Sequence, residues 1–131
     1  MPTCHERARA VLSRVDPARQ WSGWPVGLRD GALVALLAAG LTAREISRLR
    51  ASAITMNRGT LLITVHRHGV NWHADLPADL GGRLLVWLAE RRLWAEGTHV
   101  FTSPQEDGPL DPKAIHAILD RYRGRRRARR C

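Results

Sequence analysis

The chain has little that would tie it to an oxidising compartment or a membrane. Its 131 residues include two cysteines, Cys4 and Cys131, one near each end. They form no CxxC pair, and no disulfide framework follows from them. No signal-peptide pattern opens the chain, so a reducing cytoplasm is the expected location. The longest apolar run, Gly31 to Leu41, is about half of what a membrane span needs. Aromatic residues other than tryptophan are scarce, with one Phe and one Tyr beside five Trp. Acidic residues are outnumbered, 12 against 21 basic ones.

What is present is an ordinary globular balance, 44% hydrophobic and 25% charged. That length and composition fit one domain with a modest core and exclude disorder of the whole chain. The formal charge of +9 is unevenly spread. Residues 121–131, RYRGRRRARRC, hold seven arginines and no acid, and removing those charges leaves +2 for residues 1–120. Such a tail attracts polyanions by releasing their counterions. It equally serves as a solvated end that keeps a protein soluble.

Hydrophobic spacing sets the expected order: helix, helix, β-hairpin, helix, short buried segment, helix, basic tail. Ala8, Val11, Leu12 and Val15 recur at roughly helical spacing. Trp21 and Trp24 sit in a loop that should pack on something. Leu28–Ala39 is apolar almost all round after Arg29 and Asp30, which is the pattern of a core helix, and Gly40 should cap it. Thr42-Ala43-Arg44-Glu45 reads as a capping box opening a helix with Ile46 and Leu49 inward and Arg44, Arg48 and Arg50 toward the other side. Ala53–Met56 is a short strand, Thr60–Val65 a β-branched strand, and Asn71–Leu76 its return across a His68-Gly69 turn. Asp79–Leu93 is an amphipathic helix with Leu84, Leu85, Trp87 and Leu88 inward. Val100-Phe101 is a short buried piece. Asp111-Pro112 opens a last helix on Ile115, Ile118 and Leu119.

Read in this order, the sequence resembles the tyrosine recombinase (phage integrase) family. The matching text is Leu28-Arg29-Asp30-Gly31-Ala32-Leu33, then Ala39 through Ile46 and Leu49-Arg50, the strand Gly59-Thr60-Leu61, Leu76-Pro77, Val100-Phe101-Thr102-Ser103, and Leu110 through Ile115. The resemblance implies an α+β, mostly helical fold, with helices packed around a small antiparallel hairpin or sheet, as in the N-terminal part of that family's catalytic domain. The corresponding division is an arm at 1–27, a partial catalytic domain at 28–120 and the Arg-rich tail at 121–131.

In that family a tyrosine attacks a DNA phosphate, and arginines, a hairpin lysine and histidines stabilise the developing charge and move protons. The sequence departs from this pattern at each point. Thr42 stands where the first catalytic arginine is expected, and Arg67-His68 where the hairpin lysine is expected. The chain ends before the His-x-x-Arg and tyrosine motifs. Tyr122, the only tyrosine, falls in the preceding helix, where a core or helix-surface residue is expected. No catalytic residue is therefore assigned, and no strand cleavage is expected.

The resemblance and the charge together imply double-stranded DNA as partner. The residues expected to contact it are Arg44, Arg48, Arg50, Arg67, His68, Lys113, His116, Arg121, Arg123, Arg125, Arg126 and Arg127. His66, His68 and His73 raise a metal reading, with alternation placing His66 and His68 on one strand face. No Cys or carboxylate partner accompanies them, so no metal and no cofactor is assigned. No membrane or small-molecule partner is expected. The alternatives are a module that assembles with itself or with a full-length recombinase, and a decayed mobile-element product.

Overall fold

The computed structural model describes residues 4–94, 99–103 and 108–123. Among them lie α1 (Cys4–Leu12), α2 (Val26–Ala38), α3 (Ala43–Arg48), a 3-10 turn (Ala51–Ala53), β1 (Ile54–Asn57), β2 (Thr60–Arg67), β3 (Val70–Leu76), α4 (Ala78–Trp94) and α5 (Pro112–Arg123). The fold is α+β: helices around one antiparallel sheet in the order β1-β2-β3.

The central element is α2. Ala32, Leu33, Val34, Ala35 and Leu36 are all buried, because α1, α3, α4 and α5 each pack against it. A helix surrounded on all sides needs apolar residues on all sides, which is what the sequence pattern showed. At its end Gly40 takes φ +94°, and the amides of Gly40 and Leu41 donate to the carbonyls of Leu37 and Leu36. This is a Schellman cap, and it turns the chain directly into α3. Thr42 is the N-cap of α3. Its hydroxyl accepts from the Glu45 amide, and the Glu45 carboxylate accepts from the Thr42 amide, so the expected capping box is present.

The sheet is built from two tight turns. Arg58-Gly59 and His68-Gly69 all have positive φ, the geometry of two-residue hairpin links, and Gly69 (φ +76°) supplies the position that disfavours a Cβ. The register pairs Leu61 with Leu76, Ile63 with Ala74, Val65 with Trp72, and Arg67 with Val70. Leu61, Ile63, Val65, Ala74 and Leu76 are buried, so this row is the core face. Trp72 and Arg67 continue it past the edge of the core and are half-buried. His68, expected to share a strand face with His66, lies in the turn instead.

On α4 the inward stripe is Leu80, Leu84 and Trp87, with Leu88 partly buried. Leu85, expected inward, is 43% exposed. One residue beyond Leu84 is roughly 100° further round the helix, which carries Leu85 off the stripe. Trp87 ties three segments together. Its ring stacks on Phe101 at 5.8 Å, meets Trp24 edge-on at 6.3 Å, and its Nε1 donates to the Val100 carbonyl at 2.8 Å. The Val100 amide in turn donates to the Leu49 carbonyl at 2.9 Å. Of the loop tryptophans, Trp24 packs as expected, whereas Trp21 is 51% exposed.

Ala8, Leu12 and Val15 lie in the same core as residues of α2 and α5. Arg9 pairs with Asp79 at the start of α4, and Arg14 Nη1 donates to the Tyr122 carbonyl at 2.8 Å. Among the described residues no helix is long and apolar enough to cross a membrane.

Candidate functional site

The sequence-predicted cations divide into three groups. Arg44 and Arg48 stand one helical turn apart on α3, both exposed, while Ala43, Ile46 and Ser47 are buried. A short helix capped at Thr42 and buried on one side has no choice but to present these two side chains to solvent. Arg50 is exposed just beyond α3, and its backbone bridges to His99. Burial is the first cause that holds the His99 imidazole below its ordinary value, with Arg50 and Arg91 adding to it. The neutral form is therefore favoured there.

Arg67 is engaged within the protein. Its Nε and Nη2 donate to the two carboxylate oxygens of Glu45, each at 2.5 Å, and Nη2 also donates to the Gly40 carbonyl at 2.9 Å. The guanidinium lies 4.1 Å from the centre of the Trp72 ring. Hydrogen bonding from Arg67 holds the Glu45 carboxyl below the usual carboxylate range, against the opposing effect of burial. The tip of the β2–β3 hairpin is thereby fastened to the junction of α2 and α3. His68 is exposed in the turn.

On α5, Lys113, His116 and Arg121 are exposed, and the Lys113 amide donates to Asp111, the N-cap expected from the sequence. α5 packs against α3, so these cations sit on an element adjoining Arg44 and Arg48. Arg123 lies in the last turn of α5. Arg125, Arg126 and Arg127 lie outside the described residues.

The outer sheet face carries His66 and His73 in cross-strand pairs, His66 with Asn71 at 3.2 Å and His73 with Thr64 at 3.1 Å. Among the described residues no three of His, Cys, Asp and Glu come together as a metal set.

Tyr122 is buried at 7% exposure, and its hydroxyl donates to Asp30. Asp30, 1% exposed, also accepts from Arg29 Nε at 2.9 Å. Burial, then the Asp30 carboxylate, push the Tyr122 phenol up to about 12. A phenol in that setting is neither accessible nor ionised, the opposite of an activated nucleophile. Sequence reasoning missed this network. The signal was there: Arg29 and Asp30 stand in an otherwise apolar helix, where charges are tolerated only when paired.

The Tyr122 environment makes a measurable prediction. As the only tyrosine, it alone contributes the tyrosinate absorbance, which should rise near pH 12 in the folded protein. An unfolded chain titrates near about pH 10. Because the folded value is the higher one, this contribution to stability is complete below about pH 10 and is lost as pH rises toward 12, about 3 kcal/mol in all. A folded protein whose tyrosine titrated at the ordinary value would contradict the buried network.

No protein-family model matches the sequence, and no curated protein matches it. Solved structures do. The XerH site-specific recombinase bound to its difH substrate before cleavage superposes with a TM-score of 0.74 at 20% identity, over 95% of this chain and 37% of that one. The fold is that of part of a tyrosine recombinase. XerH on a palindromic difH substrate after cleavage gives 0.69 at 20% identity, over 98% of this chain and 37% of that one. XerA recombinase gives 0.69 at 19%, over 93% and 42%. The chain thus spans about two fifths of the length of the recombinases it matches. Within this recombinase fold, Thr42 acts as a helix cap where the sequence resemblance expects the family's first arginine. At the hairpin position, Arg67 is paired with Glu45.

Proposed function

We propose that this chain binds duplex DNA through a recombinase fold and does not by itself break the strand. The observation that carries the DNA reading is the fold shared with XerH, a protein solved on its difH substrate. The exposed Arg44 and Arg48, with Arg50 beside them and Lys113, His116 and Arg121 on the adjoining helix, are the side chains that would meet phosphates. His68 at the hairpin tip, Arg123 and the tail arginines Arg125, Arg126 and Arg127 would extend that contact along the backbone. Phosphate contacts of this kind position a protein on DNA without reading its sequence.

The absence of cleavage rests on what the side chains do. Tyr122 is sequestered, Thr42 is neutral, and Arg67 is occupied by a carboxylate. A transition state with developing charge on phosphate oxygens needs cationic donors placed in advance. Leu85 and Val86 are exposed apolar side chains on α4, open to a second copy or to a full-length recombinase. The cytoplasm is the location this reading implies.

The test is a salt titration of duplex binding by gel shift or anisotropy. The logarithm of affinity should fall linearly with the logarithm of salt, with a slope of about −0.9 per neutralised phosphate. The double substitution Arg44→Ala/Arg48→Ala should weaken binding and make the slope shallower by about 2, and Arg125→Ala/Arg126→Ala/Arg127→Ala by about 3. Substitution is used in the tail because a deletion beginning at residue 121 would also remove the core residue Tyr122. Affinity that does not change with salt would refute the reading.

A further inference from the structure

Glu45 caps α3 and also holds Arg67, and the two roles can be separated. The Arg67–Glu45 pair is a fork of two parallel donors on two carboxylate oxygens. The same fork fits a phosphodiester, whose paired oxygens present similar geometry. Two contacts hold the guanidinium in place independently of Glu45: the Trp72 ring beneath it and the Gly40 carbonyl. Its Nη1 makes no hydrogen bond to any described residue, and the side chain is 31% exposed. His66, His68, Gly69 and Val70 around the tip are exposed, so DNA could approach the hairpin.

We propose that Glu45 is an internal anion that occupies Arg67 and so sets how strongly the hairpin tip binds a DNA phosphate. The inference rests on the DNA-binding reading above. A phosphodiester gains the Arg67 fork only by displacing the Glu45 carboxylate, or it shares a guanidinium whose charge is already balanced. Like any ordinary glutamate, Glu45 is ionised at neutral pH, and Arg67 lowers its carboxyl further, so the competition operates under ordinary conditions. Thr42, exposed on the same turn, adds no charge of either sign to this competition. The hairpin is thus fastened to the helix junction in the free protein, with its cation preoriented over Trp72.

The discriminating variant is Glu45→Gln. Glutamine keeps the capping box, since an amide oxygen also accepts from the Thr42 amide, and it removes the negative charge. The variant should fold, which circular dichroism checks. Duplex affinity at low salt should rise by about two- to fivefold, the fold-change corresponding to a partly exposed ion pair. The salt slope should steepen by about 0.9, one further phosphate. Arg67→Ala in the Glu45→Gln background should cancel both gains. Wild-type binding with no tightening in Glu45→Gln overturns the inference and leaves the DNA reading standing. Tightening that survives Arg67→Ala also overturns it, because the gain then comes from net charge alone. If neither wild type nor Glu45→Gln binds duplex, the DNA reading falls, and this inference with it.

Discussion

Asp30→Ala is expected to lower the unfolding free energy by about 3–5 kcal/mol, the cost of breaking a buried ion pair from one side. Asp30 is 1% exposed and serves two donors, Arg29 and Tyr122. Truncation strands the Arg29 guanidinium, itself 7% exposed, without its carboxylate, and leaves a buried phenol with no acceptor. Against a total of about 5–15 kcal/mol for a typical domain, the loss brings the fold near its limit. Urea unfolding measures it directly. Tyr122→Phe is the milder comparison, removing one hydrogen bond for about 1–3 kcal/mol while keeping the ion pair. A loss for Asp30→Ala no greater than for Tyr122→Phe would mean that the Arg29 charge is relieved by some other group. The same experiment bears on function. The network joins α2 to the end of α5, and α5 carries Lys113, His116 and Arg121.

The second large effect is Trp87→Ala, also about 3–5 kcal/mol by analogy with other buried aromatic truncations. Trp87 is fully buried against Trp24 and Phe101. Its removal opens a cavity and strands the Val100 carbonyl that its Nε1 serves. Trp87→Phe should cost less, because a ring still stacks on Phe101 and only the hydrogen bond and part of the volume are lost. Thermal unfolding of the two variants separates packing from hydrogen bonding. Equal losses would show that the Val100 bond, not the ring volume, carries the stabilisation.

The α3 cap shows how local information becomes structure. Thr42 and Glu45 are three residues apart, and each satisfies an amide that the helix start leaves without a partner. Nothing distant is needed, so the pattern was legible from four letters. The same holds for the Gly40 turn out of α2, the Asp111 cap and the buried row of β2, whose alternation has a period of two. The ordered series of such elements was enough to reach the recombinase fold, which the solved structures share at only 19–20% identity.

Arg67 marks where that legibility stops. From the sequence it is one more cation at a hairpin tip. Its partner lies 22 residues away on another element, and only the register places it on the core face of the sheet, beside Glu45 and Gly40. Tyr122 and Asp30 are 92 residues apart. Leu85 and Leu84 are adjacent in sequence, yet one is exposed and the other buried, because the stripe on α4 is set by what packs against it.

By itself, then, the sequence determined the elements, their order and the fold class, since caps, turns and periodicity act over a few residues. It also placed the excess charge in the tail. The tertiary structure alone decided which charges are spent inside the protein. Arg29 and Arg67 are held by carboxylates, and the sole tyrosine is held as a neutral hydrogen-bond donor. Arg44 and Arg48 stay on the exposed side of α3. The reason is physical. An ion pair depends on distance in space, with energy falling as the inverse of separation, and only folding sets the separation between residues far apart in the chain.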